Sequence, residues 1–143
     1  KTTRYRTYTR VYAPEGSELI SVSGSLKDDK LANPSLEPGT PDEYNELGKT
    51  VFGAFISIEP GAEGDLVFSY KLPASVSATI KGGSYNLYAE KQAGAAGHGL
   101  TLSLNFDKNL KQAEPAEAEE HWGDRSYNLE TDLRVDRSIS IKF

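Results

Sequence analysis

The 143-residue chain contains no cysteine and no methionine. Without thiols it can form no disulfide, no thiolate nucleophile and no thiolate-bound zinc. Compartment stays open, because bacterial surface domains that fold without oxidation also lack cysteine. Long apolar runs are missing too. The longest lies in 51–58, far short of the ~20 residues that a membrane-spanning helix needs, so any membrane anchor is expected outside this fragment, which itself inserts into no membrane. Basic residues are outnumbered, 16 Lys and Arg against 21 Asp and Glu, for a net charge of −5. Nucleic acid is therefore excluded as an expected partner, since its binding needs a basic surface that releases counterions.

Histidine occurs twice, at His98 and His121. Neither has a serine or carboxylate at triad spacing, or a second histidine four residues away. Asp28, Asp29 and the acidic run from Glu114 to Asp124 lack the spacing of a calcium loop. We expect no enzyme, no metal and no cofactor. The chain lacks an initial methionine and enters its first strand pattern at Arg4, which reads as a single domain, 1–143, excised from a longer chain.

What is present is strand periodicity. Thirteen glycines, seven prolines and eight tyrosines favour strands joined by turns. In 50–73, Phe52, Ala54, Ile56 and Ile58 share one face, and Leu66, Phe68, Tyr70 and Leu72 share another, with Pro60-Gly61 and Glu63-Gly64 between. This period of two predicts a central β-hairpin. In 4–14, Tyr5, Thr7, Thr9 and Val11 form the expected core face, leaving Arg4, Arg6, Tyr8, Arg10 and Tyr12 outward. A second strand is read at 18–24, paired with the first or crossing to another sheet.

Thr40-Pro41-Asp42-Glu43 matches a capping box, and Gly48 follows Leu47, so a short helix is expected near 41–47. Val76, Ala78 and Ile80 alternate as a weak strand. Segments 84–92 and 98–106 read as a second hairpin, 107–124 as a solvated acidic loop with a helical turn at 116–120, and 125–143 as two closing strands. The prediction is an all-β, two-sheet antiparallel β-sandwich of Ig-like or fibronectin-like build with seven to nine strands. Its core is expected to contain Phe52, Ile56, Leu66, Phe68, Leu87, Leu102 and Leu104.

Four segments, YRTYTRVYAPEGSELISVSG, ELGKTVFGAFISIEPGAEGDLVFSYKLP, YNLYAEKQAG and DLRVDRSISIKF, resemble the C-terminal region of a bacterial family of unknown function numbered 4012. The likeness spans nearly the whole chain. It implies the terminal β-sandwich of a membrane-anchored, extracytoplasmic protein and brings no catalytic residues. The expected function is thus a non-catalytic module at the cell surface with a spacing or interaction role; the alternative is a carbohydrate-binding module using exposed aromatics.

The candidate interaction residues are Arg4, Arg6, Tyr8, Arg10, Tyr12 and Trp122. Arginine and tyrosine on one stripe of an otherwise acidic chain match the residues enriched at protein interfaces. The stripe is expected to meet an upstream domain of the same protein or another surface protein. Tyr8, Tyr12, Tyr88 and Trp122 are the rings available to stack on a glycan. Alternating charge and tyrosine also blunts an exposed strand, the plainer explanation of the same pattern.

Overall fold

The computed structural model describes residues 3–27 and 36–143; Asp28 and Asp29 lie outside the described residues. The chain divides into two compact units, Lys1–Ala74 and Ser75–Phe143, where the sequence pattern reads as one domain. Both are built from antiparallel strands, and the fold is all-β and sandwich-like.

The first unit contains β1 (Tyr5–Pro14), β2 (Glu18–Ser23), β3 (Asp42–Glu46), β4 (Lys49–Ile58) and β5 (Val67–Lys71). They form a three-stranded sheet in the order β1-β4-β3 and a two-stranded sheet β2-β5. The central strand β4 is buried on both faces: Val51, Phe52 and Ala54 are at most 2% exposed. Phe52 and Ile56 lie on its inner face with Ala54, and the Phe52 ring meets Tyr70 of β5 at 5.4 Å between centroids. Each fully buried side chain of this size contributes roughly 1.5–3 kcal/mol.

The second unit contains α1 (Ala74–Lys81, its first residue lying at the unit boundary), β6 (Ser84–Ala89), β7 (Gly99–Asn105), β8 (Gln112–Glu114), β9 (Ser126–Asp132) and β10 (Arg137–Lys142). Its sheets are β6-β10-β8 and β7-β9. Leu110, Ala113, Tyr127, Ile139 and Ile141 are buried together, and Leu87, Leu102 and Leu104 pack against them half-buried. The Lys108 ammonium donates to the Ile80 and Lys81 carbonyls at 3.3 and 3.1 Å at the end of α1, where the Ile80 carbonyl also accepts from the Gly83 amide at 3.0 Å.

Several expectations are corrected. The segment near 41–47 is not a helix: Asp42–Glu46 is a strand paired with Lys49–Gly53. Leu47 and Gly48, at φ 53° and 66°, make the two-residue turn whose twist suits a tight hairpin. One capping box could not overcome the nucleation cost of so short a helix. The central hairpin is not formed either, since β4 pairs with β1 and β3 while β5 pairs with β2. Likewise β6 pairs with β10 and β7 with β9. The faces of these strands are as the period of two indicates, but their partners are not.

The helix lies instead at Ala74–Lys81. Val76 and Ile80, read as alternate strand positions, are also four apart and share one helical face, on which both are half-buried. The 107–124 segment is not merely a solvated loop, for it carries β8 and sends Leu110 and Ala113 into the core, with a 3-10 turn at Glu119–His121. With β3 and β8 counted there are ten strands among the described residues, against seven to nine expected.

Candidate functional site

The register of the first sheet creates one distinctive surface. On its outer face β1 places Arg6, Tyr8, Arg10 and Tyr12, opposite Ser57, Phe55, Gly53 and Val51 of β4. On the far side β3 sets Asp42, Tyr44 and Glu46 opposite Gly53, Val51 and Lys49. The β1 side chains lean diagonally across β4. The Tyr8 hydroxyl donates to Asp42 Oδ2 at 2.6 Å, and the Tyr12 hydroxyl to Glu46 Oε2 at 2.6 Å. Between them Arg10 and Tyr44 take the same diagonal positions, and Tyr44 stabilises the Arg10 charge. Each pair has the same sequence separation, so the three form parallel rungs over β4.

Two features make the rungs possible. Gly53 lies directly under Tyr8: a Cβ there would stand 1.9 Å from the Tyr8 hydroxyl oxygen and 2.5 Å from Cζ, so any side chain at 53 would displace the Tyr8 ring. Val51, beneath the middle rung, is fully buried although it lies on the outer face. The side chains of β1 and β3 thus roof the central strand. Their own upper surfaces remain open, Tyr8 at 44%, Tyr12 at 42% and Tyr44 at 37% exposed. The Arg10 guanidinium lies 5.7 Å from the Tyr12 ring centroid and 3.8 Å from Glu46.

The predicted stripe is therefore assembled, with additions. Arg4 forms an ion pair with Glu59, and Arg6 is exposed on the same face. Asp42, Tyr44 and Glu46 belong to the site and were missed, because the capping-box reading placed them on a helix. Their alternation in DEYNE, acid-Tyr-acid at every second position, is the signal that finds them. Trp122 belongs to the second unit, next to the 3-10 turn, and is 43% exposed. Tyr88, also there, donates to Asp136 at 2.8 Å.

The electrostatics follow from the contacts. Burial, then the hydrogen bond to Asp42 and that carboxylate's charge, push the Tyr8 phenol up to about 12. Tyr12 is raised by its bond to Glu46, and Arg10 by Tyr44. In the second unit Asp132 is lowered by the Arg134 amide and then Arg137, and Asp136 by the Lys91 amide and then Tyr88. Tyr88 is raised by Asp136, and Tyr127 by burial. Each of these shifts carries its group further from neutral pH.

No family model, curated protein or solved structure matches this chain. Among the described residues no helix is long and apolar enough to cross a membrane.

Proposed function

We propose that the chain is a non-catalytic recognition and spacing module of an extracytoplasmic bacterial surface protein, with the runged face of the first sheet as its recognition surface. One observation carries this reading: Tyr8 and Tyr12 are open to solvent yet each is hydrogen-bonded to a partner within the same sheet, with Arg10 and Tyr44 between them. Tyrosine and arginine supply large contact area, and anchoring them beforehand lowers the entropy lost on binding. Pairing with Asp42, Glu46 and Glu59 also removes most of the stripe's net positive charge, which favours a close-fitting partner over diffuse attraction to an acidic surface. The extracytoplasmic setting and an anchor beyond this chain rest on the resemblance in segments such as YRTYTRVYAP and YNLYAEKQAG. The partner is then a neighbouring domain or another surface component, and the open tyrosine rings favour glycan as the second reading.

The test is binding without turnover. Purified protein is incubated with isolated bacterial envelope fractions, pelleted, and the supernatant searched for released fragments by mass spectrometry. Retention without fragments is expected, with at least a tenfold loss in a Tyr8→Ala/Tyr12→Ala variant whose circular dichroism is unchanged. Fragments that persist after repurification, or retention equal in the variant, would overturn the proposal.

A further inference from the structure

Beside the first rung the sheet is extended by a short second ladder. The Leu26 amide donates to the Phe55 carbonyl at 2.8 Å, past the end of β3. Leu26 bridges to Pro38, with Lys27 N to Glu37 O at 2.9 Å and Gly39 N to Ser25 O at 3.0 Å. The two backbones approach so closely that a Cβ on Gly39 would stand 2.2 Å from the Leu26 carbonyl oxygen. Between this ladder and the Tyr8–Asp42 rung lies an open groove of about 410 Å³, within the roughly 300–1,000 Å³ of small-molecule sites.

We propose that this groove binds one neutral pyranose unit of a glycan, with the Tyr8 ring as its stacking platform; the inference rests on the recognition reading above and takes its glycan alternative. The chemistry of the walls selects this class. Tyr8, Phe55 and Pro38 offer apolar surface, while Asp42, Glu37, Lys27 and Thr40 offer polar groups. A pyranose has the same division, a face of C–H groups and a rim of hydroxyls that both donate and accept. Lys27 pairs with Glu37 at 3.3 Å, and the Asp42 carboxylate accepts from the neutral Tyr8 hydroxyl. A phosphate would meet two carboxylates against one ammonium, which disfavours an anion. A neutral hydroxyl needs neither displaced, because each carboxylate oxygen accepts more than one hydrogen bond. The Asp42 bond also fixes the ring, so stacking is prepaid in orientation.

The experiment is an amide chemical-shift titration of the intact chain with methyl β-glucoside, methyl β-galactoside, methyl α-mannoside and N-acetylglucosamine, each to 20 mM. At least one sugar is expected to give saturable shifts centred on Leu26, Gly39, Thr40 and Phe55. Tyr8→Ala should weaken that binding tenfold or more. Glu37→Gln, at the rim and away from the rungs, should weaken it severalfold, so the answer does not depend on the tyrosine variant alone. No saturable shift with any sugar, or shifts centred on Trp122, or shifts unchanged in both variants, would overturn the inference. If the sugars fail while envelope retention still depends on Tyr8 and Tyr12, only the sugar assignment falls; if retention is also unaffected, the recognition reading falls with it.

Discussion

Tyr8 reaches Asp42 across the full width of β4, and the strand between them gives way at Gly53 to let the ring pass. A glycine in the middle of a buried strand is ordinarily a weakness; here it is the condition for close approach. A tyrosine that would otherwise swing freely is held flat. An acid on a short edge strand finds a neutral donor rather than a base. The site is a consequence of register, since displacing β3 by one residue would turn Asp42, Tyr44 and Glu46 to the opposite face.

Substituting Gly53→Ala should therefore break the first rung. We expect little loss of stability, because the atoms met are the solvent-facing end of the Tyr8 side chain, which can swing aside. The more specific effect is on Tyr8, whose phenol should fall from about 12 toward the ordinary value of about 10. Its carbon-13 Cζ resonance, followed against pH, reads this directly. A titration in the variant that still centres near 12 would contradict the role given to Gly53.

Leu47 occupies the left-handed region at φ 53° and is 86% exposed at the tip of the β3-β4 turn. A branched apolar side chain gains nothing there and carries a backbone cost. Leu47→Asn should raise stability by about 0.5–1 kcal/mol, since asparagine favours this turn position. Urea denaturation of both proteins provides the check, with an unchanged or lowered midpoint as the opposing result.

Acid should weaken the second unit through Asp132 and Asp136. Both are lowered in the folded chain by amide and side-chain donors. Near and below the usual aspartate value the unfolded chain binds more protons, so stability rises with pH across this range. The contribution is fully present above about pH 4 and disappears as pH falls through the lowered folded values. Asp132→Asn and Asp136→Asn should each flatten the decline in Tm between pH 4 and 2. A decline as steep in the double variant as in the original would contradict this assignment.

Most strand faces were legible in the sequence because the period of two is local, although Tyr5, expected on the core face of β1, is 62% exposed near the start of that strand. Phe52 and Ile56 are buried, and the Arg-Tyr stripe of β1 faces outward as its alternation indicates. Partners were not legible, because pairing β1 with β4 closes a loop of more than thirty residues and leaves no mark at either strand. The hairpin expected at 50–73 failed for a related reason: the eight residues from Glu59 to Leu66 are long enough to let β5 join β2 instead. Asp42–Glu46 shows the limit from the other side. Its capping signal is real in pattern, yet the hydrogen bonds offered by β4 outweigh it. At Val76 and Ile80 the spacing of four satisfies both periods, and the flanking Pro73 and Gly82-Gly83 were the better guide.

Envelope retention measured across single variants tests the recognition surface most directly. Tyr8→Ala, Tyr12→Ala and Arg10→Glu alter the rungs of the first sheet, while Trp122→Ala removes the exposed ring of the second unit. Each is compared with the original protein at matched folding by circular dichroism. The account predicts at least a fivefold loss of retention for each rung variant and none for Trp122→Ala. Full retention by all three rung variants, or a loss confined to Trp122→Ala, would contradict it.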